Sequence, residues 1–199
     1  SSPQMSVKLS SLSPRFDELS RRECVPDLSS KLGSLFPVAD GPNAFTVFVD
    51  AEEQNRLELT LSVVENVIRE RAPPRIGVVV QAYGRRAMET LEYLRELAVR
   101  YPETKISVRL VKGAYWDAEI KQAQLLGADS YPVWTEKRQT DVSYLACASF
   151  LLENSDTLPM PAFASHNART VADILSMVDG DMDEFTRRGC EFQRLHGMG

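Results

Sequence analysis

The chain has 199 residues, 43% of them hydrophobic and 26% charged, with a net charge of −5. That is enough apolar material for one buried core, which argues against a disordered chain, and too little positive charge for a nucleic-acid partner or a polybasic membrane attachment. The three cysteines, Cys24, Cys147 and Cys190, are far apart and form no CxxC pair, which argues against a disulfide framework and a structural zinc site and points to a reducing cytoplasm.

The opening "SSPQMS" lacks the pattern of a signal peptide, and apolar runs such as "IGVVV" fall far short of the ~20 residues of a membrane span. Seven β-rich runs are predicted as strands, at 5–10, 45–52, 76–83, 106–113, 131–135, 161–166 and 190–197. Helical stripes lie between several of them: Leu57, Leu61, Val64 and Ile68; then Met88, Leu91, Leu94, Leu97 and Ala98; then Val171, Ile174, Leu175 and Val178. The stretch 24–43 reads as a helix-poor or broken-helix connection, and 154–161 and 179–185 read as surface loops.

Nearly continuous apolar strands alternating with amphipathic helices predict a parallel sheet covered by helices. Successive strand ends fall about 30 residues apart, the unit size of a (βα)8 TIM-type barrel, and neither GxGxxG nor a Walker A pattern supports a doubly wound sheet. The expected fold is therefore α/β, an incomplete barrel of seven strands forming one domain over 1–199. In a parallel barrel the strand C-termini converge on one mouth, so residues ~30 apart in sequence come together.

Polar groups close almost every predicted strand: Lys8, Asp50, Gln81, Arg109 with Lys112, Thr135 with Lys137, His166 with Asn167, and Gln193. Any one of these also reads as a solvated loop residue or half of a surface ion pair. Arg109 is different, because Val108 and Leu110 flank it and a buried guanidinium requires an acceptor, either a ligand or a carboxylate such as Asp50. Tyr115 and Trp116 suit packing under the next helix or stacking on a planar cofactor. Lys112 fits a Schiff-base lysine, while two histidines without an HxH or HExxH pair carry little metal signal, so no metal is expected.

The segments "VRLVKGAYWDAEIKQAQ", "YPVWTEKRQTDVSYLACASFLL", "FASHNARTV" and "CEFQRLHGMG", with the earlier "MSVKLSSLSPRF" and "VDAEEQNRLELTL", closely resemble the proline dehydrogenase domain of the proline utilization A family of bifunctional flavoenzymes. The resemblance implies FAD at the barrel mouth and oxidation of L-proline to Δ1-pyrroline-5-carboxylate. A hydride leaves the ring carbon beside nitrogen for flavin N5, and the electrons pass to a membrane quinone. It implies Arg109 at the N5 edge, Gln81 on the pyrimidine side, and Lys112, Gly113, Tyr115, Trp116, Thr135, Lys137, Ser165, His166, Asn167, Gln193 and Leu195 around the cofactor or the proline ring. Lys8 matches a lysine that holds the substrate carboxylate, and Asp50 an acid of the same pocket. A cytoplasmic protein, peripheral to the inner membrane during turnover and carrying an aldehyde dehydrogenase domain in the parent chain, follows from the same resemblance.

Departures from the family pattern shape a further expectation. The family's first strand, ending in an acid, and its last helix, with two adjacent arginines, have no counterpart here, so the chain is expected to be a piece of a larger polypeptide, able to self-associate across exposed sheet edges. Ser165, Arg194 and Glu136 also differ from the usual residues. A Schiff-base or metal-dependent lyase and a non-catalytic truncated barrel remain the alternative readings.

Overall fold

Alternation along short parallel strands sends every second side chain to one face, and the two faces meet different surroundings. The computed structural model describes residues 3–36 and 45–198. Among these, six strands form one sheet: β1 (Gln4–Val7), β2 (Thr46–Val49), β3 (Arg75–Gln81), β4 (Lys105–Val111), β5 (Ala162–Ala164) and β6 (Glu191–Gln193). They are all parallel and pair in sequence order. The helices are α1 (Leu9–Leu12), α2 (Arg21–Gly33), α3 (Leu57–Arg71), α4 (Ala87–Arg100), α5 (Trp116–Leu125), α6 (Lys137–Glu153), α7 (Ala168–Ser176) and α8 (Met182–Arg187).

One face of the sheet, with Val49, Ile76, Val78, Val108 and Leu110, packs into a single apolar core with Leu59 and Val63 of α3, Leu91 and Leu94 of α4, and Tyr144 of α6. The predicted stripe of α3 is rotated by about a quarter turn: Leu57 and Leu61 are only partly covered, while Leu59, Val63 and Val67 are buried beside Val64 and Ile68. The other face lines a lumen. Gln4 of β1 donates to Glu191 at 2.8 Å and accepts from Gln193 at 2.9 Å, so the sheet curls until β6 meets β1 through side chains.

The lumen is filled at its centre by the Phe48 ring, which occupies the space left by Gly77 on the neighbouring strand. A Cβ at position 77 would lie 2.3 Å from that ring. Glycine is required here by close packing rather than by its backbone angles.

Four further sequence expectations are corrected. The fifth predicted strand, 131–135, is outside the sheet: its backbone groups bond to the turn after β3, with Trp134 N on Tyr83 O at 2.8 Å and Arg85 N on Pro132 O at 3.0 Å, and Val133 makes one antiparallel bridge to Gly84. The described sheet therefore has six strands, a curled half-barrel, not seven. Within 24–43 the structure has α2, continuous through Pro26, because Cys24, Leu28 and Leu32 bury one helical face and outweigh one missing backbone hydrogen bond; residues 37–44 lie outside the described residues. The acidic run 179–185 turns into α8, where Asp181 caps the N–H groups of Asp183 and Glu184 at 2.8 and 2.9 Å and Phe185 stacks on Phe192, ring centroids 4.7 Å apart. The first predicted strand also stops early, at Val7, and α1 begins at Leu9.

Overpacking a rigid ring typically costs about 1–3 kcal/mol. Gly77→Ala is expected to lower stability by that amount in urea denaturation, and Gly77→Ala with Phe48→Leu to recover part of the loss.

Candidate active site

Parallel pairing in sequence order brings all six strand C-termini to one end of the sheet, and a cavity of about 590 Å³ opens there. Lys8 follows β1, Asp50 follows β2, Gln81 ends β3, and Arg109, Lys112 and Gly113 come from β4 and its exit. Tyr115, Ser165, His166, Gln193 and Leu195 complete the predicted set that lines it.

The Arg109 side chain is 16% exposed. Its Nε donates to Gln193 Oε1 at 2.7 Å, Nη1 to Ser6 Oγ at 2.7 Å and Nη2 to Gln4 Oε1 at 3.4 Å, and Nη1 is 3.6 Å from Asp50 Oδ1. The guanidinium also sits over the Phe48 ring, 4.2 Å from its centroid. Burial lowers its pKa from the ordinary arginine value, with Asp50 and Glu191 opposing that. Both acceptors foreseen for Arg109 are thus in play: the Asp50 carboxylate is close, and the cavity opens beside the pair.

Lys8 donates to the Tyr115 hydroxyl at 2.8 Å and lies 5.5 Å from that ring's centroid. The hydrogen bond to Tyr115 raises the Lys8 pKa, burial opposes it, and Asp50 and Glu52 add to the rise. Lys112 is ion-paired with Asp141, which also accepts from Lys137 at 3.0 Å. Gln81, 5% exposed, donates to Glu52 O at 2.9 Å and accepts from Ala114 N at 3.3 Å, which leaves its second Nε2–H and the second lone pair of its oxygen for a ligand. His166 Nε2 accepts from Leu195 N at 3.1 Å, tying the ends of β5 and β6 and leaving the ring proton to Nδ1. Gly113 has φ +138°, and a Cβ there would lie 2.4 Å from the Tyr83 ring, so both the backbone angle and the packing of Tyr83 require glycine.

Four predicted residues are elsewhere. Trp116 turns away and donates its Nε1 to Trp134 O at 2.8 Å. Thr135 is exposed ahead of α6 and lines neither this cavity nor its neighbour. Lys137 and Asn167 line a second hollow of about 380 Å³ at the N-termini of α6 and α7, with Arg138 and Arg169 on its rim. The Lys112–Asp141 pair stands between the two hollows, since Lys112 lines the first and Asp141 the second.

A family model described as proline dehydrogenase matches residues 1–199. The chain belongs to the proline dehydrogenase family. It is 42% identical to the bifunctional protein PutA of Escherichia coli (strain K12) over 99% of its own length, and spans 15% of that relative. A solved variant of proline utilization A from Bradyrhizobium japonicum superposes with a TM-score of 0.87 at 45% identity, over 99% of this chain and 20% of that one. The Bdellovibrio bacteriovorus protein, solved after inactivation by N-propargylglycine, gives 0.85 at 35% identity, over 97% of this chain and 20% of that one.

The chain also uses residues that its strand ends do not announce. Phe48 supports Arg109, Asp141 holds Lys112, and Glu119, buried on α5, accepts from Gln54 N at 2.6 Å. Phe48 reads in sequence as one more apolar strand residue, and Asp141 and Glu119 as helix-surface carboxylates. A faint signal for Asp141 is its spacing from Lys137, one helical turn earlier.

Lys112 and then Lys137 depress the Asp141 pKa below its ordinary 3.8, so the pair's stabilisation is complete above that value and is lost as acid takes the pH down through the depressed one. Wild type is expected to exceed Asp141→Asn by about 0.2–1 kcal/mol at neutral pH, the scale of solvent-screened pairs. Denaturation measured across a pH series should show the difference shrink as the pH falls below 3.8 and vanish once it is below the depressed value.

Proposed function

We propose that this chain forms the site at which L-proline is oxidised to Δ1-pyrroline-5-carboxylate, with FAD as cofactor and a quinone as final electron acceptor. The observation that carries the reading is the gathering of Lys8, Asp50, Arg109 and Tyr115 around one cavity, in a chain of the proline dehydrogenase family.

The residues suit a flavin dinucleotide. A cavity floored by a fixed guanidinium adjoins a hollow at two helix N-termini, where Lys137, Arg138 and Arg169 stand among the carboxylates Asp141 and Asp173, and the helix ends and cations are the groups that would hold a pyrophosphate. Bound there, FAD supplies the hydride acceptor for oxidation of the proline C–N bond.

The chain's own groups do the rest. Arg109, held by Gln193, Ser6, Asp50 and Phe48, presents a fixed positive charge where reduction places negative charge, and needs no reorganisation to do so. Lys8 supplies a cation for the substrate carboxylate, and its bond to Tyr115 keeps that ring over the cavity as a cover for a small apolar ring. Gln81, Lys112, Ser165, His166, Gln193 and Leu195 border the cofactor, with Lys137 and Asn167 toward its pyrophosphate. Trp116 and Thr135 have no part in this reading.

The alternative readings meet specific obstacles. A Schiff-base lyase needs a free amine at Lys112, whereas an ammonium paired with Asp141 is a poor nucleophile. A metal-dependent lyase needs clustered ligands, and among the described residues no three His, Cys, Asp or Glu groups come together. The longer bifunctional relatives fit a parent chain that adds an aldehyde dehydrogenase and carries proline through to glutamate in the cytoplasm. No helix among the described residues is long and apolar enough to cross a membrane, and contact with the quinone is then peripheral.

The test is dye reduction by the FAD-loaded parent protein on addition of L-proline. Turnover is expected, and Arg109→Met should lower kcat by about 100-fold or more, the scale of losing one preorganised charge donor. A loaded protein that leaves the dye oxidised overturns the reading.

A further inference from the structure

We propose that Glu119 is a positioning residue, the latch that holds α5 as a cap and thereby keeps Tyr115 over the cavity. The proposal rests on the proline reading only for what the cap covers. The latch stands on geometry alone.

Helix α5 is held by little apolar packing. Ala123 is its one buried hydrophobic residue, while Leu125 is 77% exposed, Leu126 just beyond the helix 74% and Trp116 42%. An amphipathic helix normally gains its place by burying a stripe several residues wide, and this one does not. The chain enters it from Gly113, whose left-handed backbone makes a natural pivot.

Polar ties do the holding instead. Glu119 is 4% exposed, and its Oε1 accepts from the backbone N–H of Gln54 at 2.6 Å. Gln54 opens the 3-10 turn Gln54–Arg56, which runs directly into α3, so this N–H is an orphan donor at a helical N-terminus. A carboxylate from α5 therefore caps α3 across space, favoured by the dipole it meets. Burial raises the Glu119 pKa and the Gln54 N–H works against that rise, so the capping bond is what makes a buried acid tolerable.

Other ties of this segment are the Trp116 bond to Trp134 O, the Gln124 bond to the Tyr131 hydroxyl, the Lys8 bond to the Tyr115 hydroxyl and the Ala114 bond to Gln81. Glu119 is the buried one among the helix's own side-chain ties. It connects the segment that bears Tyr115 to the loop that begins at Asp50, and so fixes the distance between two sides of the mouth.

The test compares Glu119→Gln, which keeps the acceptor oxygen, with Glu119→Asp, which is one methylene too short to reach Gln54. Hydrogen exchange of the parent protein, without proline, is read by mass spectrometry over 114–126 and over β3 and β4. Glu119→Asp should speed exchange in 114–126 by about tenfold, the worth of one hydrogen bond to a charged acceptor, and leave β3 and β4 unchanged. Glu119→Gln should stay near wild type. In turnover, Glu119→Asp should raise KM for proline more than it lowers kcat, with Glu119→Gln rescuing, a split that general destabilisation would not give.

Unchanged exchange over 114–126 in Glu119→Asp, or equal acceleration throughout the sheet, overturns the latch. A local acceleration in a protein that never oxidises proline upholds the latch and rejects the substrate reading, so the two failures are distinguishable.

Discussion

The structure depends on a guanidinium set inside a curled sheet. Arg109 projects from β4 into the lumen, where water cannot satisfy it fully, and its donors draw acceptors from β1, β2 and β6 at once. β1 and β6 are the two ends of the ladder, so one side chain acts as a strut across the half-barrel. The direct β1 to β6 contacts through Gln4, Glu191 and Gln193 lie next to it and share its partners. A charge in this position is stable because each neighbour is an oxygen or a ring face, and it is functional because one side still faces the cavity.

The strut also relates packing to chemistry. Phe48 has room only because β3 carries glycine at position 77, and Arg109 has a flat support only because Phe48 lies beneath it. Mouth loops then attach to one another through buried polar groups more than through apolar ones: Glu52 accepts from Ser10 N, Gln81 spans Glu52 and Ala114, and Glu119 reaches Gln54. Hydrogen bonds fix distance and direction more narrowly than apolar contact does, which suits loops that must hold Lys8, Asp50 and Tyr115 in register around a small substrate.

Much of this was legible residue by residue. The apolar runs of β2, β3 and β4 announced buried parallel strands, and polar residues at their ends announced a common mouth. Misreadings share a cause. Residues 131–135 have the composition of a strand but spend their backbone groups on the turn after β3; Pro26 has the appearance of a helix breaker but sits in a helix whose apolar face is fully buried. In both, tertiary partners outweighed local propensity. Trp116 and Thr135, close in sequence to lining residues, lie outside the lining of both hollows.

The sequence by itself determined the α/β class, the parallel order and the strand-end set Lys8, Asp50, Gln81, Arg109 and His166, because periodicity and position along a strand are local properties. Only the tertiary structure decided that Arg109 is shared among three other strands, that Lys112 is paired with Asp141, and that Glu119 caps a helix it does not belong to. Those are contacts between groups 29 to 105 residues apart. Their existence depends on where the curl of the sheet brings side chains, and no pattern confined to one segment encodes that.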